Sequence, residues 1–223
     1  PLFIGVYMNK LLKKEFTFTA IPLIYIFLAF SLMAFIPGYP ILLSAFFMGL
    51  GFFQCFQTAK EENDVLYTAM LPVRKRDVVT ARYLFVISLQ MVFFLLSAIF
   101  TALRMTLLVN AGSYSANLMM NANLVYLAWI LLELSLFNLV FLGGFWKTAY
   151  SIGKPFVFFM IWSFLLIGLA ESLHHFPGLE FLNSEKEALG IQTVILLAAC
   201  ILYAGLTFAS LKKSQQRFEK IDL

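Results

Sequence analysis

Few residues in this chain are able to do chemistry, and most of them stand in apolar surroundings. Glu133 is the one charged residue in the run from Leu124 to Trp146. It lies about nine residues into that run, roughly 14 Å along a helix. Arg104 lies near the far end of another apolar run, about 21 residues or roughly 32 Å beyond Tyr83. A charge inside such a segment is expensive and needs a partner or a task. Two readings of Glu133 stand at this point. It lines a pathway or subunit interface, or it is structural, either ion-paired with Arg104 or protonated and hydrogen-bonded. Gln54, Gln57, Gln90 and Asn138 lie toward the ends of their runs and read as interhelical hydrogen-bond partners.

Other chemistry finds little support. His174 and His175 are adjacent, near Glu171 and Glu180. Neighbouring residues on a regular helix cannot both face one metal ion, so the pair reads as a solvated loop and no metal site is predicted. Cys55 and Cys200 both lie in apolar runs, without metal-like neighbours, and read as small helix- or lipid-facing residues. No H-E-x-x-H or G-x-S-x-G pattern suggests an intramembrane enzyme. No G-x-x-x-x-G-K-[ST] loop offers a nucleotide site by that route. The sequence therefore predicts no enzyme by itself, no catalytic residue and no cofactor in this chain.

The elements that carry these residues are set by composition. Hydrophobic residues make up 61% of the 223, and charged residues only 13%. Soluble domains average about 45–50% and roughly 25%. With 26 Phe as well, a soluble fold would expose large apolar patches. A soluble enzyme, a disordered chain, a nucleic-acid-binding module and a disulfide scaffold are excluded. The sequence predicts an all-α, polytopic membrane protein forming a single domain over 1–223.

A crossing helix needs about 20 apolar residues. Six candidates fit, at about 19–36, 41–58, 83–109, 124–146, 155–170 and 190–211. Pro37-Gly38-Tyr39-Pro40 forces the first turn. The first run is span length with no small-residue cleavage site after it, so no cleavable signal peptide is predicted there. Fourteen of the sixteen basic residues fall on one side of this map: before the first span, in the 60–82 loop, in 147–154 and in the tail. The other side holds only Lys186, and Arg104 lies within a span. Basic residues mark the cytoplasmic side, so both termini are predicted to be cytoplasmic.

The 60–82 loop is the most informative stretch. It reads as a short helix from about Glu61 to Met70, with acids in its first turn where the helix dipole favours them. Pro72 stops it, and a second helix starts at Asp77. Val65, Leu66, Ala69 and Met70 need burial. Either a partner groove takes them, or the loop lies on lipid head groups with Arg74-Lys75-Arg76 touching phosphates.

The run Leu71-Pro72-Val73-Arg74-Lys75-Arg76-Asp77-Val78-Val79-Thr80-Ala81-Arg82-Tyr83-Leu84 resembles the signature loop of type-2 ABC transporter permeases, in the branch common in Gram-positive bacteria. Arg74 departs from that pattern, where Ser or Thr is commoner and would cap the next helix; Asp77 offers an alternative cap. The resemblance extends over nearly the whole chain through the span count, the termini and an amphipathic start. Leu11, Leu12 and Phe16, with Lys10, Lys13 and Lys14, resemble that family's interface helix over 3–16.

The resemblance implies a division of labour. Two permease subunits, a homodimer or a heterodimer, form the pathway in the bacterial plasma membrane. Separate cytoplasmic ATPase subunits hold ATP and Mg²⁺. Glu61, Glu62, Val65, Leu66, Met70, Leu71, Pro72, Arg74, Lys75 and Arg76 are the expected coupling residues. Lys147, Tyr150 and Lys154 are the expected second contact, and Glu133, Arg104, Gln90 and Asn138 the polar residues within the membrane. The implied function is export of a hydrophobic or amphipathic substrate, a modulin-type or antimicrobial peptide being the best fit. The aromatic load suits such cargo, and lipid-facing Phe explains it equally. A non-transporting sensor or scaffold subunit is the alternative. No nucleic-acid partner is expected.

Overall fold

The structure, a computed structural model, describes residues 2–70, 72–108, 112 and 117–221, with the side chains of 2–7 and 69 not described. Every regular element among these residues is helical. The chain begins with α1 (Leu2–Lys14), which runs into a π turn at Glu15–Thr19. Ala20 and Ile21 are extended, and Pro22 opens α2 (Pro22–Leu28). Proline suits that first helical position because its missing N–H would have no partner there. The segment Met8–Thr19 meets Pro22–Phe35 at 89°. If the second stands across a bilayer, the first lies in its surface plane, as an amphipathic interface helix does.

The first apolar segment is shorter than the run from Thr19 suggests. After Leu28 it tightens into a 3-10 helix over Ala29–Phe35. That form rises about 2.0 Å per residue against 1.5 Å, so the segment still reaches about 25 Å. Gly38, with φ 71°, turns the chain back, and α3 (Leu43–Glu61) returns to the starting end.

Beyond α4 (Asp64–Ala69) come four longer helices: α5 (Lys75–Leu108), α6 (Leu124–Phe145), α7 (Gly153–Leu173) and α8 (Leu189–Glu219). These four are long and apolar enough to cross a membrane, and the bent pair at the N-terminus makes a fifth if counted as one. α3 is more polar, carrying Gln54, Gln57 and Thr58. Neighbouring helices rather than lipid cover much of it, including Phe52, Cys55 and Phe56.

Several boundaries differ from the hydropathy pattern. α5 starts at Lys75, well before Tyr83, and α8 continues through the basic tail. Ser210, Ser214 and Phe218 recur every fourth residue and are buried, so that stripe keeps the tail helical against the bundle. Phe218 packs on Trp146 with centroids 4.8 Å apart.

α6 is the most buried of the long helices. Phe137 and Phe141 on α6 meet Phe52 and Phe56 of α3, and Phe156 and Phe159 of α7, at 5.2–6.0 Å. A Cβ at Gly49 would come within 2.8 Å of the Phe159 ring, so the absent side chain is what admits α7 there. Much of the aromatic content is therefore interhelical packing, which removes it as an argument for apolar cargo.

Candidate functional site

Contacts gather the basic segments at one end of the bundle. α3 ends at Glu61, and Asn63 then takes a left-handed conformation with φ 54°. Asparagine tolerates that region better than most residues. The expected helix over 61–70 is thus two pieces: Glu61 closes α3, Glu62 and Asn63 turn the chain, and α4 holds only Asp64–Ala69.

α4 is inside out for a solvated helix. Its buried side is polar: Asp64 and Thr68, one turn apart, face the bundle. Lys14 Nζ sits 2.7 Å from Asp64 Oδ1, 3.0 Å from Thr68 Oγ1 and 3.0 Å from Glu15 Oε1. Arg82, from α5, pairs with Asp64 and brings Nε to 2.6 Å from Glu15 Oε2. Thr19 donates to the same Glu15 oxygen at 2.8 Å. The Arg82 guanidinium also lies over the Phe56 ring at 5.1 Å. This buried cluster ties the bend after α1, the loop helix α4 and the foot of α5 into one unit. The opposite side is apolar and open: Leu66, Tyr67 and Met70 are 46%, 64% and 77% exposed.

A cavity of about 180 Å³ opens beside that face. Val65 and Leu66 form one wall, Phe56, Lys60 and Arg82 another, and Phe145, Thr148, Ala149 and Tyr150 a third. Lys60 Nζ stands 4.2 Å from the Tyr150 ring centroid, joining the end of α3 to the 147–154 loop. Arg82 Nη1 has no hydrogen-bond partner among the described residues.

The other expected coupling residues divide. Pro72 is exposed at the bend, and Leu71 lies outside the described residues. Asp77 does not cap α5. Arg74 holds the N-cap position, and its Nε donates to Asp77 Oδ2 at 2.9 Å. Lys75 donates to the Ile221 carbonyl at 2.5 Å. Arg76 donates to Glu219 through Nε and, at 2.9 Å, through Nη2. Lys75 and Arg76 therefore hold the C-terminal end of α8 rather than standing free. The 147–154 loop also divides: Tyr150 lines the cavity just described, whereas Lys147 and Lys154 line a separate groove.

Arg104 and Glu133 do not form the ion pair that sequence allowed. Ser163 of α7 donates to Glu133 Oε1. Arg104 instead closes the opposite end, donating to the Ala34 carbonyl at 2.7 Å and Asn121 Oδ1 at 2.6 Å, with Glu185 at 3.3 Å. Gln90 and Asn138 do bridge helices. Gln90 Nε2 donates to Asn138 Oδ1 at 3.0 Å, Asn138 Nδ2 donates to Thr207 Oγ1 at 3.0 Å, and Tyr203 donates to Gln90 Oε1 at 2.8 Å. Among the described residues, Gln57 bonds within its own helix, donating to Glu61 Oε1 at 3.2 Å. His174 is buried, 3.3 Å from the Leu118 carbonyl, and not in a solvated loop.

The sequence model of the ABC-2 family transporter proteins matches residues 9–219. The chain belongs to the ABC-2 transporter family. No curated protein and no solved structure matches it. Membership makes the chain a multi-pass membrane permease subunit of an ABC transporter, a class that works with ABC ATPases. In an ABC-2 permease, a helix with a buried polar side and an open apolar side is well suited to meet such a partner. The sequence showed the apolar residues of α4 but not Lys14, Glu15, Asp64 and Arg82 as a cluster. Its one local trace is the i, i+4 pair Asp64 and Thr68.

Proposed function

We propose that this chain is the pathway-forming subunit of an ATP-driven exporter, crossing the membrane six times with both termini in the cytoplasm. The long helices, the bent N-terminal pair and the largely covered α3 support six crossings. The clustering of basic segments at one end supports the orientation. ATP and Mg²⁺ are held by partner ATPases, and the chain is no enzyme by itself. A second permease, identical or different, completes the pathway.

The observation that carries this reading is the exposed apolar face of α4 beside a cavity walled by the 145–150 segment. An ATPase surface that fills the cavity covers Leu66 and, extended along α4, covers Tyr67 and Met70 as well. The Arg82 cluster would pass a shift of α4 to α5 and to the bend before α2. Cargo is proposed to be hydrophobic or amphipathic, with a peptide favoured by the likeness of 71–84 to the Gram-positive permease branch. The test is co-expression with an ATPase encoded beside this chain, followed by purification in detergent. Joint purification supports the pump. A permease that never retains the ATPase favours the sensor or scaffold role.

A further inference from the structure

The groove that takes Lys147 and Lys154 away from the α4 cavity has its own character. It measures about 560 Å³, within the range of ligand sites. Lys147, Thr148, Ser151 and Lys154 line one part, and Val140, Gly144, Pro155, Phe158 and Trp162 the rest. No acid lines it. Neither lysine pairs with a carboxylate among the described residues, unlike Lys14, Arg74, Arg76, Arg82 and Arg104.

The polarity is ordered along one helix face. Lys154, Phe158 and Trp162 recur at i, i+4 and i+8 on α7, placing the aromatic rings about 6 and 12 Å further along from the lysine. Phe158 and Trp162 are 59% and 55% exposed. Above them, Leu165 and Leu169 continue an exposed apolar surface on a helix able to cross the membrane. A Cβ on Gly144 would come within 2.8 Å of Pro155, so α6 and α7 approach closely at the base of the groove.

We propose that this groove is a binding site for an anionic phospholipid of the surrounding bilayer. The phosphate meets Lys147 and Lys154, with Thr148 and Ser151 as hydroxyl donors, and an acyl chain lies along Phe158 and Trp162. Basic pockets at the cytoplasmic ends of membrane helices hold anionic head groups in this way. The site requires membrane placement of α7 but not the coupling role of α4, so the two readings fail separately.

The test is quenching of tryptophan fluorescence by brominated acyl chains, using the full chain in phosphatidylcholine vesicles doped with brominated phosphatidylglycerol or brominated phosphatidylcholine. Stronger quenching by brominated phosphatidylglycerol at equal doping is expected. Trp162→Phe should remove that excess. Lys147→Gln with Lys154→Gln should reduce it several-fold, and Leu66→Asp should leave it intact. Equal quenching by the two lipids overturns the proposal. So does a lysine double variant that keeps the preference, or one that keeps it while losing a co-expressed ATPase, because the lysines would then serve that partner.

Discussion

The Arg82 guanidinium stands 2.6 Å from the Glu15 carboxylate, with both side chains almost wholly buried. The contact joins the foot of α5 to the bend between α1 and α2. Because Arg82 also pairs with Asp64, it is the hub between three elements distant in sequence.

Removing that hub should be severe. Arg82→Ala leaves Glu15 and Asp64 buried with Lys14 as their remaining cationic neighbour. Breaking a buried pair from one side costs about 3–5 kcal/mol. Thermal unfolding in detergent should show the loss. Arg82→Lys should rescue it only in part, since a point charge cannot span two carboxylates as a guanidinium fork does. Wild-type stability in Arg82→Ala would show that the cluster bears no load.

Glu133 should couple to Ser163 and not to Arg104. Ser163→Ala removes the donor to a buried carboxyl, at about 1–3 kcal/mol. In a double-mutant cycle, Glu133→Gln and Ser163→Ala should be non-additive. Glu133→Gln and Arg104→Gln should add to within about 0.3–0.5 kcal/mol, as separated sites do. Strong coupling between the latter two would contradict the geometry.

The contacts around His174 should carry a pH response of their own. Burial holds the His174 imidazole below its ordinary value of 6.5, so the folded protein favours the neutral ring. Its contribution is complete above 6.5 and is lost as pH falls through the lower folded value. Glu185 has the opposite sign. Burial raises its carboxyl above 4.5 against the pull of Arg104, so its contribution is complete below 4.5 and is lost as pH rises through the raised value. Because Glu185 acts in the opposite sense, comparison with His174→Gln isolates the ring: as pH drops below 6.5, hydrogen exchange around residues 117–123, corrected for intrinsic rates, should quicken more in the wild type than in the variant.

Orientation can be read by labelling intact cells with an impermeant thiol reagent in a Cys200→Ser background. Glu187→Cys should react and Lys213→Cys should not, both positions being exposed. The reverse pattern would invert the assignment of cytoplasmic ends.

Sequence made the apolar helices legible because hydropathy is a local property. The groups at each end were also legible through charge: the segments with Lys14, Arg82 and Arg217 do meet. The partners were not. Glu15 lies 67 residues from Arg82 and Asp64 lies 50 from Lys14, and no periodicity links them. Arg82 read as one more loop cation, yet it is 1% exposed. Glu133 and Arg104 were the obvious membrane pair by type, but each found a nearer partner at its own depth. The break at Asn63 depends on one left-handed residue, which a short acidic run conceals. The tail read as a basic segment beyond the last span because its buried stripe is Ser210, Ser214 and Phe218, too polar to register as a span.

The central claim is that the open face of α4 docks an ATPase, and Leu66→Asp tests it most directly. The substitution sets a charge against an apolar partner surface, at roughly 2–4 kcal/mol, while the membrane helices remain unchanged. The variant, co-expressed with its ATPase, should reach the membrane at wild-type levels. It should then retain the ATPase poorly, or hydrolyse ATP without exporting substrate. Full retention with wild-type export would contradict the account.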